Sequence, residues 1–441
     1  MAEIIRIKKG LDIPLAGAPS SSVTDDTKTT LFAVCPDDFP GPVWKCAVKA
    51  GDKVAAGDPL LIDKASGKIR LSSPVSGTVE EVKRGERRHI EFISVKKEAD
   101  SVAKIDKASN PEQIKDAMKA SGLWAMMRQR PYDIVPEPDS VPRDIFVTAF
   151  DSAPLAGELL DPELAKWLEN GLQALAQLTE GKVYLGVRPG SGISSKAAEV
   201  VEFEGPHPAG NVGTQIAAIK PVNKGETVWT LDAATASRIG KLVATGEIDY
   251  HVVVAVTGAM VKDPHLVRTR IGATISTILE GNLKQTDDIR IISGNVLTGI
   301  KVTKDGFLHY PYRQITVIEE GAHADEFMGW ASLNPGKFSV KRSFPAFLRG
   351  FSKPFNFDAR IKGGHRAMIV SGEYDKVFPF DIYPEYLLKA IIAGDIDREE
   401  KLGIYEVAPE DFALPEFVDT SKIELQKIVR EGLDNLRKEL S

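Results

Sequence analysis

The chain has 441 residues, a formal net charge of −6, 43% apolar and 27% charged residues; at roughly 100–200 residues per domain this predicts two to four domains and excludes wholesale disorder. Two cysteines exclude a disulfide framework and a protein-held iron–sulfur cluster. The acidic balance argues against nucleic acid as a partner, and no apolar run approaches the roughly 18–20 residues of a membrane helix.

Residues 1–30 are expected to form an N-terminal arm. The opening has neither the apolar core nor the small-residue cleavage site of a secretory signal. Leu11, Ile13 and Leu15 alternate before Ala16–Ser22 breaks any regular element. So short an alternating segment needs a surface: an edge of the chain's own sheet, or a partner that receives the arm. Residues 31–98 read as short strands joined by the turns Gly51-Asp52 and Gly57-Asp58, because glycine accepts positive φ and aspartate bonds its own backbone. With Ser73-Pro74-Val75-Ser76-Gly77-Thr78-Val79, the rhythm resembles the biotinyl/lipoyl barrel-sandwich. Asp63-Lys64-Ala65 resembles a lipoylation tripeptide. Lys64 is out of register for a carrier, so a structural barrel without a swinging arm is expected.

Residues 99–250 are expected to hold a helical linker and a Rossmann-like α/β layer. Asn110 and Pro111 suit a helix start. The loop that follows gathers Trp124, Met126, Met127, Arg128, Arg130 and Tyr132. Ile145–Phe150 and Lys182–Val187 read as strands and Glu163–Leu178 as a helix, the alternation of a parallel layer. Gly190-x-Gly192 has Ser195 at the third glycine position and makes a poor dinucleotide fingerprint. The run Gly205-Pro206-His207-Pro208-Ala209-Gly210-Asn211 suits either a rigid turn or a pocket lip carrying His207 and Asn211. Residues 251–335 are expected to form a small α+β module, with strands at His251–Gly258, Ile289–Ile292 and Phe307–Tyr310. Residues 336–441 are expected to form a helical domain ending in an amphipathic stretch from Ile423 to Leu440.

Walker, nucleophile-elbow and H-E-x-x-H motifs are absent. The histidines show no metal-ligand spacing, and Cys35 and Cys46 lie outside C-x2–4-C spacing, so no metal site is expected.

Several runs occur together in one family. They are Ile7-Lys8-Lys9-Gly10-Leu11-Asp12-Ile13-Pro14, Gly205 to Thr214, Leu266-Val267-Arg268-Thr269-Arg270-Ile271-Gly272-Ala273, and Arg290-Ile291-Ile292-Ser293-Gly294. On these runs the chain resembles, over nearly its whole length, the A-subunit family of the bacterial Na+-translocating NADH:quinone oxidoreductase. That family is similar in turn to the C subunit of the Rnf complex and to the flavin- and NADH-binding subunit of complex I. Those relatives carry a glycine-rich flavin loop where this chain has Ser121 to Pro131, with Trp, Met and Arg in place of the glycines. The Rnf relative's four cluster cysteines fall on Pro409, Phe412, Pro415 and Asp419.

The resemblance implies a ubiquitin-like, SLBB-type module at 251–335 and a ferredoxin-type scaffold without clusters at 336–441. It implies a peripheral subunit on the cytoplasmic face of the bacterial inner membrane. The complex oxidises NADH, reduces ubiquinone and exports Na+. Flavins, iron–sulfur centres and the NADH site lie on the five further subunits; this chain holds no redox cofactor or metal and contributes no catalytic residue. A quinone needs an apolar slot, an aromatic face and donors for two carbonyls. Trp124, Met127, Arg128, Arg130 and Tyr132, with Phe32, Phe39 and Trp44 from the barrel, supply those types. In the alternative, the chain serves assembly without a quinone site of its own, anchored to a partner by Leu11, Ile13 and Leu15.

Overall fold

A computed structural model describes residues 3–157, 160–322, 333–341, 343–348 and 353–440. Residues 31–98 form two facing sheets. One runs Leu31–Val34, Ile90–Ala99, Ser76–Arg84 and Lys53–Val54 in spatial order; the other runs Trp44–Cys46, Pro59–Asp63 and Arg70–Ser72. Their inward residues, among them Leu60, Leu61, Val75, Ile93 and Val95, share one core. This is the expected barrel-sandwich, built from two sheets rather than a closed barrel.

The second sheet has the order Glu3–Arg6, Glu199–Glu204, Val183–Val187, Asp144–Thr148, Val228–Asp232 and Arg128–Arg130. The first five strands are parallel and the last runs antiparallel at the edge. Continuous apolar strands such as Val183–Val187 are buried on both faces, as a helix-covered parallel sheet requires. The expected long helix is broken: Pro162–Ala165 and Leu168–Ala176 are separate, with Lys166 and Trp167 between them. Leu168–Ala176 crosses Ala233–Thr245 at a pair of glycines. A Cβ on Gly171 would stand 1.8 Å from the carbonyl oxygen of Ala236, and one on Gly240 would stand 2.1 Å from that of Trp167.

The third sheet is mixed, ordered Ile300–Val302, Ile289–Ser293, Gln314–Glu319, His251–Thr257, His265–Arg270 and Val23–Asp25. The expected strand at Phe307–Tyr310 is not formed. The strand comes later, at Gln314–Glu319, and His309 to Arg313 stays irregular at the centre of the molecule. Tyr310 and Tyr312, on either side of Pro311, turn inward there instead of continuing a ladder. The expected boundary at 335 falls beside 323–332, outside the described residues.

The C-terminal part packs Pro384–Ala393, Ala413–Val418 and Leu425–Leu440 around Tyr374, Phe378, Phe380 and Phe412. Leu425, Val429, Leu433 and Leu436 follow the helical repeat and are all fully buried. The first 25 residues strap these parts together. Glu3–Arg6 adds a strand to the parallel sheet and Val23–Asp25 adds one to the mixed sheet. Between them, Leu15 bridges to Phe355 and Ile13 enters the C-terminal core. Ile13 and Leu15 are buried within this chain, and Leu11 packs on the same cluster. The surface that this alternating segment needs is therefore the chain's own. Among the described residues, no helix is long and apolar enough to cross a membrane.

Candidate functional site

The helix Pro111–Ser121 stops at Gly122, which takes a left-handed conformation and lies too close to Ser72 for a side chain to fit comfortably. The chain then makes one tight turn, Leu123–Met126, and enters the edge strand Arg128–Arg130. The side chains of this stretch go to different places. Trp124 is fully buried, donates its indole N–H to the Pro136 carbonyl at 2.8 Å, and meets Trp229 edge-on at 5.0 Å. Met127 is fully buried in the same core. Arg128 instead reaches a large cavity. Its guanidinium donates to the carbonyls of Asp38 (2.6 Å), Met127 (3.1 Å) and Ala125 (3.2 Å), and it lies 5.6 Å over the Tyr310 ring.

Arg130 turns toward the C-terminal part. It is 1% exposed and donates to Asp411 at 2.7 Å and Glu410 at 3.0 Å. Burial pushes the Asp411 carboxyl up, against the pull of Arg130. Burial and the neighbouring Asp411 push Glu410 up to about 7, again against Arg130. Tyr132 lies elsewhere, half-buried beside Glu137, Asp434 and Arg437 around a separate cavity of about 510 Å³. Phe32 sits in the barrel core. Phe39 is buried and stacks on Tyr310 with centroids 5.1 Å apart, while Trp44 meets it edge-on and donates to its carbonyl.

The large cavity has a volume of about 520 Å³ and lies where all the parts meet. The barrel contributes Asp37, Asp38 and Pro40, and the edge-strand segment contributes Met126, Arg128 and Asp133. The parallel sheet contributes Phe150, His207, Asn211, Leu231 and Asp232 from the carboxyl ends of its strands and the loops beyond them. The mixed sheet adds Asn295, Ile300, Tyr310, Tyr312, Arg313 and Gln314, and the C-terminal part adds Pro409, Glu410, Gln426 and Arg430.

The loop bearing His207 is held tightly. Its backbone N–H donates to Asp12 at 2.9 Å, and its ring Nδ1 lies 3.0 Å from the Ser152 hydroxyl, which also accepts from the Gly210 N–H. Burial pushes the imidazole down, against the carboxylates of Asp151 and Asp12. Asn211 precedes the helix Val212–Ile219. In that helix, Gly213 leaves room for the Arg130–Asp411 pair: a Cβ there would stand 2.2 Å from Asp411 Oδ1. Across the cavity, Asp232 caps the helix Ala233–Thr245 by accepting from Thr235 N at 2.7 Å, with Arg313 3.5 Å away. Burial works against its ionised form, but the Arg313 and Arg238 guanidiniums hold its carboxyl below the usual range.

Of the residues singled out in the sequence, Arg128, His207 and Asn211 thus converge on one cavity, and Phe39 backs it through Tyr310. Trp124, Met127, Arg130, Tyr132 and Phe32 do not join them there. Asp38, Asp232, Tyr310, Arg313 and Glu410 were missed, because they come from segments hundreds of residues apart. The one available signal was the run His309-Tyr310-Pro311-Tyr312-Arg313, too rich in polar aromatics and proline for an interior strand. The four positions that the resemblance set against cluster cysteines all fall in the C-terminal part. Phe412 packs on Phe378 at 5.0 Å, Pro409 and Pro415 begin and continue helical turns, and buried Asp419 accepts from Tyr374 Oη at 2.8 Å and Ile423 N at 2.9 Å.

Three family models match in succession: the NqrA N-terminal barrel-sandwich hybrid domain over residues 5–98, the NqrA second alpha/beta domain over 109–248, and the NQRA C-terminal domain over 253–304. The chain is 39% identical to the A subunit of the Na(+)-translocating NADH-quinone reductase of Hahella chejuensis, over 99% of this chain and 100% of that one. The corresponding proteins of Serratia proteamaculans and Pasteurella multocida are each 37% identical, with the same coverage. Among solved structures, an NAD+-reducing [NiFe]-hydrogenase aligns at 12% identity over 75% of this chain and 61% of its own, with a TM-score of 0.37, too low to carry an argument. Full-length identity at this level, with three family models in the same order, establishes that the chain belongs to the NqrA family, the A subunits of the Na+-translocating NADH-quinone reductase.

Proposed function

We propose that this subunit binds the head group of the complex's quinone in the 520 Å³ cavity where its parts meet. The observation that carries this reading is the lining itself. Met126, Phe150, Leu231 and Ile300 offer apolar wall, Tyr312 offers a ring face, and Arg128 and Asn211 offer donors. That combination of apolar wall, ring face and convergent donors suits a planar dicarbonyl ring. Arg128 is the donor best placed to stabilise charge developing on a quinone oxygen, since its guanidinium is already fixed by three carbonyls. Trp124, Met127 and Phe39 support the wall from behind, and Arg130 braces Glu410 at its rim. The quinone is ubiquinone. The protein docks peripherally on the cytoplasmic face against the other subunits of the complex, which carry the flavins, the iron–sulfur centres and the NADH site.

The aromatic filling around Pro409, Phe412, Pro415 and Asp419 supports a chain that holds no cluster of its own. A titration of the full chain with a short-tailed ubiquinone, followed by tryptophan fluorescence, tests the site, because Trp229 stands next to the lining residues Thr230 and Leu231. Saturable quenching is expected, weakened roughly tenfold in Arg128→Ala, the loss of about 1.4 kcal/mol of binding. Linear quenching that is identical in both proteins refutes the site and leaves the assembly role.

A further inference from the structure

Cys35 and His309 take no part in the reading above, and Asp38 enters it through its backbone carbonyl and as a wall residue of the large cavity. Cys35 precedes and Asp38 ends the short turn Pro36–Asp38 after the first barrel strand, while His309 comes from the irregular stretch before Gln314–Glu319. The thiol sulfur, a carboxylate oxygen and an imidazole nitrogen all lie within 4.8 Å of one another. His309 Nδ1 is 2.7 Å from Asp38 Oδ1, and Asp38 Oδ2 accepts from the Tyr310 N–H at 2.9 Å, which fixes the carboxylate's orientation. Cys35 is only 7% exposed, and among the described residues its free thiol meets no hydrogen-bond partner. A small cavity of about 30 Å³ adjoins the group, lined by Cys35, Asp38, Phe39, Met126 and Tyr310 among others.

We propose that Cys35, Asp38 and His309 bind a thiophilic divalent cation of the Zn2+ class, with an open fourth position facing the small cavity. The donor set selects the metal: sulfur with imidazole and carboxylate suits borderline-soft Zn2+, whereas Mg2+ and Ca2+ take oxygen ligands. The geometry needs little adjustment. Tetrahedral bonds of about 2.0–2.3 Å put ligand atoms roughly 3.3–3.8 Å apart, so a cation replaces the proton shared between His309 and Asp38 by widening that contact slightly. Binding releases this proton and the thiol proton to solvent, and water completes the coordination in the adjoining space.

The surrounding charge is balanced: Asp37 adds a carboxylate beside the group, and Arg128, which donates to the Asp38 carbonyl, adds a cation. The ion would clamp the barrel-sandwich to the mixed-sheet module, next to the cavity that both line. Sequence spacing hides the set, because Asp38 and His309 are 271 residues apart.

The test is a Co2+ titration of the full chain after treatment with a chelator. One equivalent is expected to give tetrahedral d–d bands and a thiolate-to-cobalt charge-transfer band in the near ultraviolet, both bleached by stoichiometric Zn2+. Cys35→Ser is expected to abolish the charge-transfer band, His309→Gln to weaken binding at least tenfold, and Cys46→Ser to change nothing. The proposal is overturned if stoichiometric Co2+ gives no charge-transfer band, or if the band survives Cys35→Ser and is lost in Cys46→Ser. Should Cys35→Ser fail to fold by circular dichroism, His309→Gln decides: undiminished Co2+ affinity there also overturns it.

Discussion

Arg130 joins parts of the chain that the sequence keeps 281 positions apart, and it does so with its charge almost wholly out of water. Its partner Asp411 is equally buried and also accepts from the Ala408 N–H at 2.8 Å, whereas among the described residues Asp411 Oδ1 and Arg130 Nε have no hydrogen-bond partner. Removing one member of such a pair is costlier than removing both, because the survivor is left charged and unpaired in a poorly polarisable interior. Arg130→Met is therefore expected to lower stability by about 3–5 kcal/mol, and Arg130→Met with Asp411→Leu to recover a large part of it. Urea unfolding of both variants checks this, and a double variant no more stable than the single one contradicts it. The sequence showed Arg130 as a cationic group in an aromatic loop, which suited a ligand. Only the fold reveals that the next part of the same chain occupies that charge.

At the scale of elements, the contact between Leu168–Ala176 and Ala233–Thr245 depends on two residues without side chains. Gly171 and Gly240 let the helix backbones approach until a Cβ at either would lie about 2 Å from a carbonyl oxygen of the facing segment. Gly240→Val pushes those helices apart over the buried face of the parallel sheet. Overpacking of this kind costs about 1–3 kcal/mol, and the close backbone approach sets the expectation at the upper end. Thermal unfolding should show a melting temperature several degrees lower; an unchanged one means that the helices separate freely. Neither glycine stood out in the sequence, where each reads as a weak spot in a helix. The cap at Asn110 was legible, and the one at Asp232 was not singled out. Asn110 accepts from Gln113 N and Asp232 from Thr235 N, local bonds that need only neighbours along the chain.

At the scale of the whole molecule, the first 25 residues tie its parts to one another. They supply edge strands to two sheets and bury Ile7, Ile13 and Leu15 in between. Three such side chains contribute roughly 1.5–3 kcal/mol each when fully buried, comparable in sum with the net stability of an ordinary domain. A chain starting at residue 26 is expected to unfold in separate calorimetric transitions, with the C-terminal part melting first because it loses Ile13 and Leu15 together. A single transition at the original temperature would show that the strap is dispensable.

The order of barrel-sandwich, α/β layer, mixed module and helical end was legible from turn spacing, alternation and helical repeat, all of them local in the chain. The family was legible for the same reason: its motifs are short contiguous runs such as Gly205 to Thr214. Strand placement failed at Phe307–Tyr310, where apolar and aromatic composition alone cannot tell a ladder from a cavity wall. The convergence of Arg128, His207, Asn211 and Tyr310 on one cavity, and of Cys35 with His309, was decided by tertiary structure. Local pattern determines which face of an element is apolar. Which faces meet, and which polar groups are left between them, depends on packing among segments hundreds of residues apart.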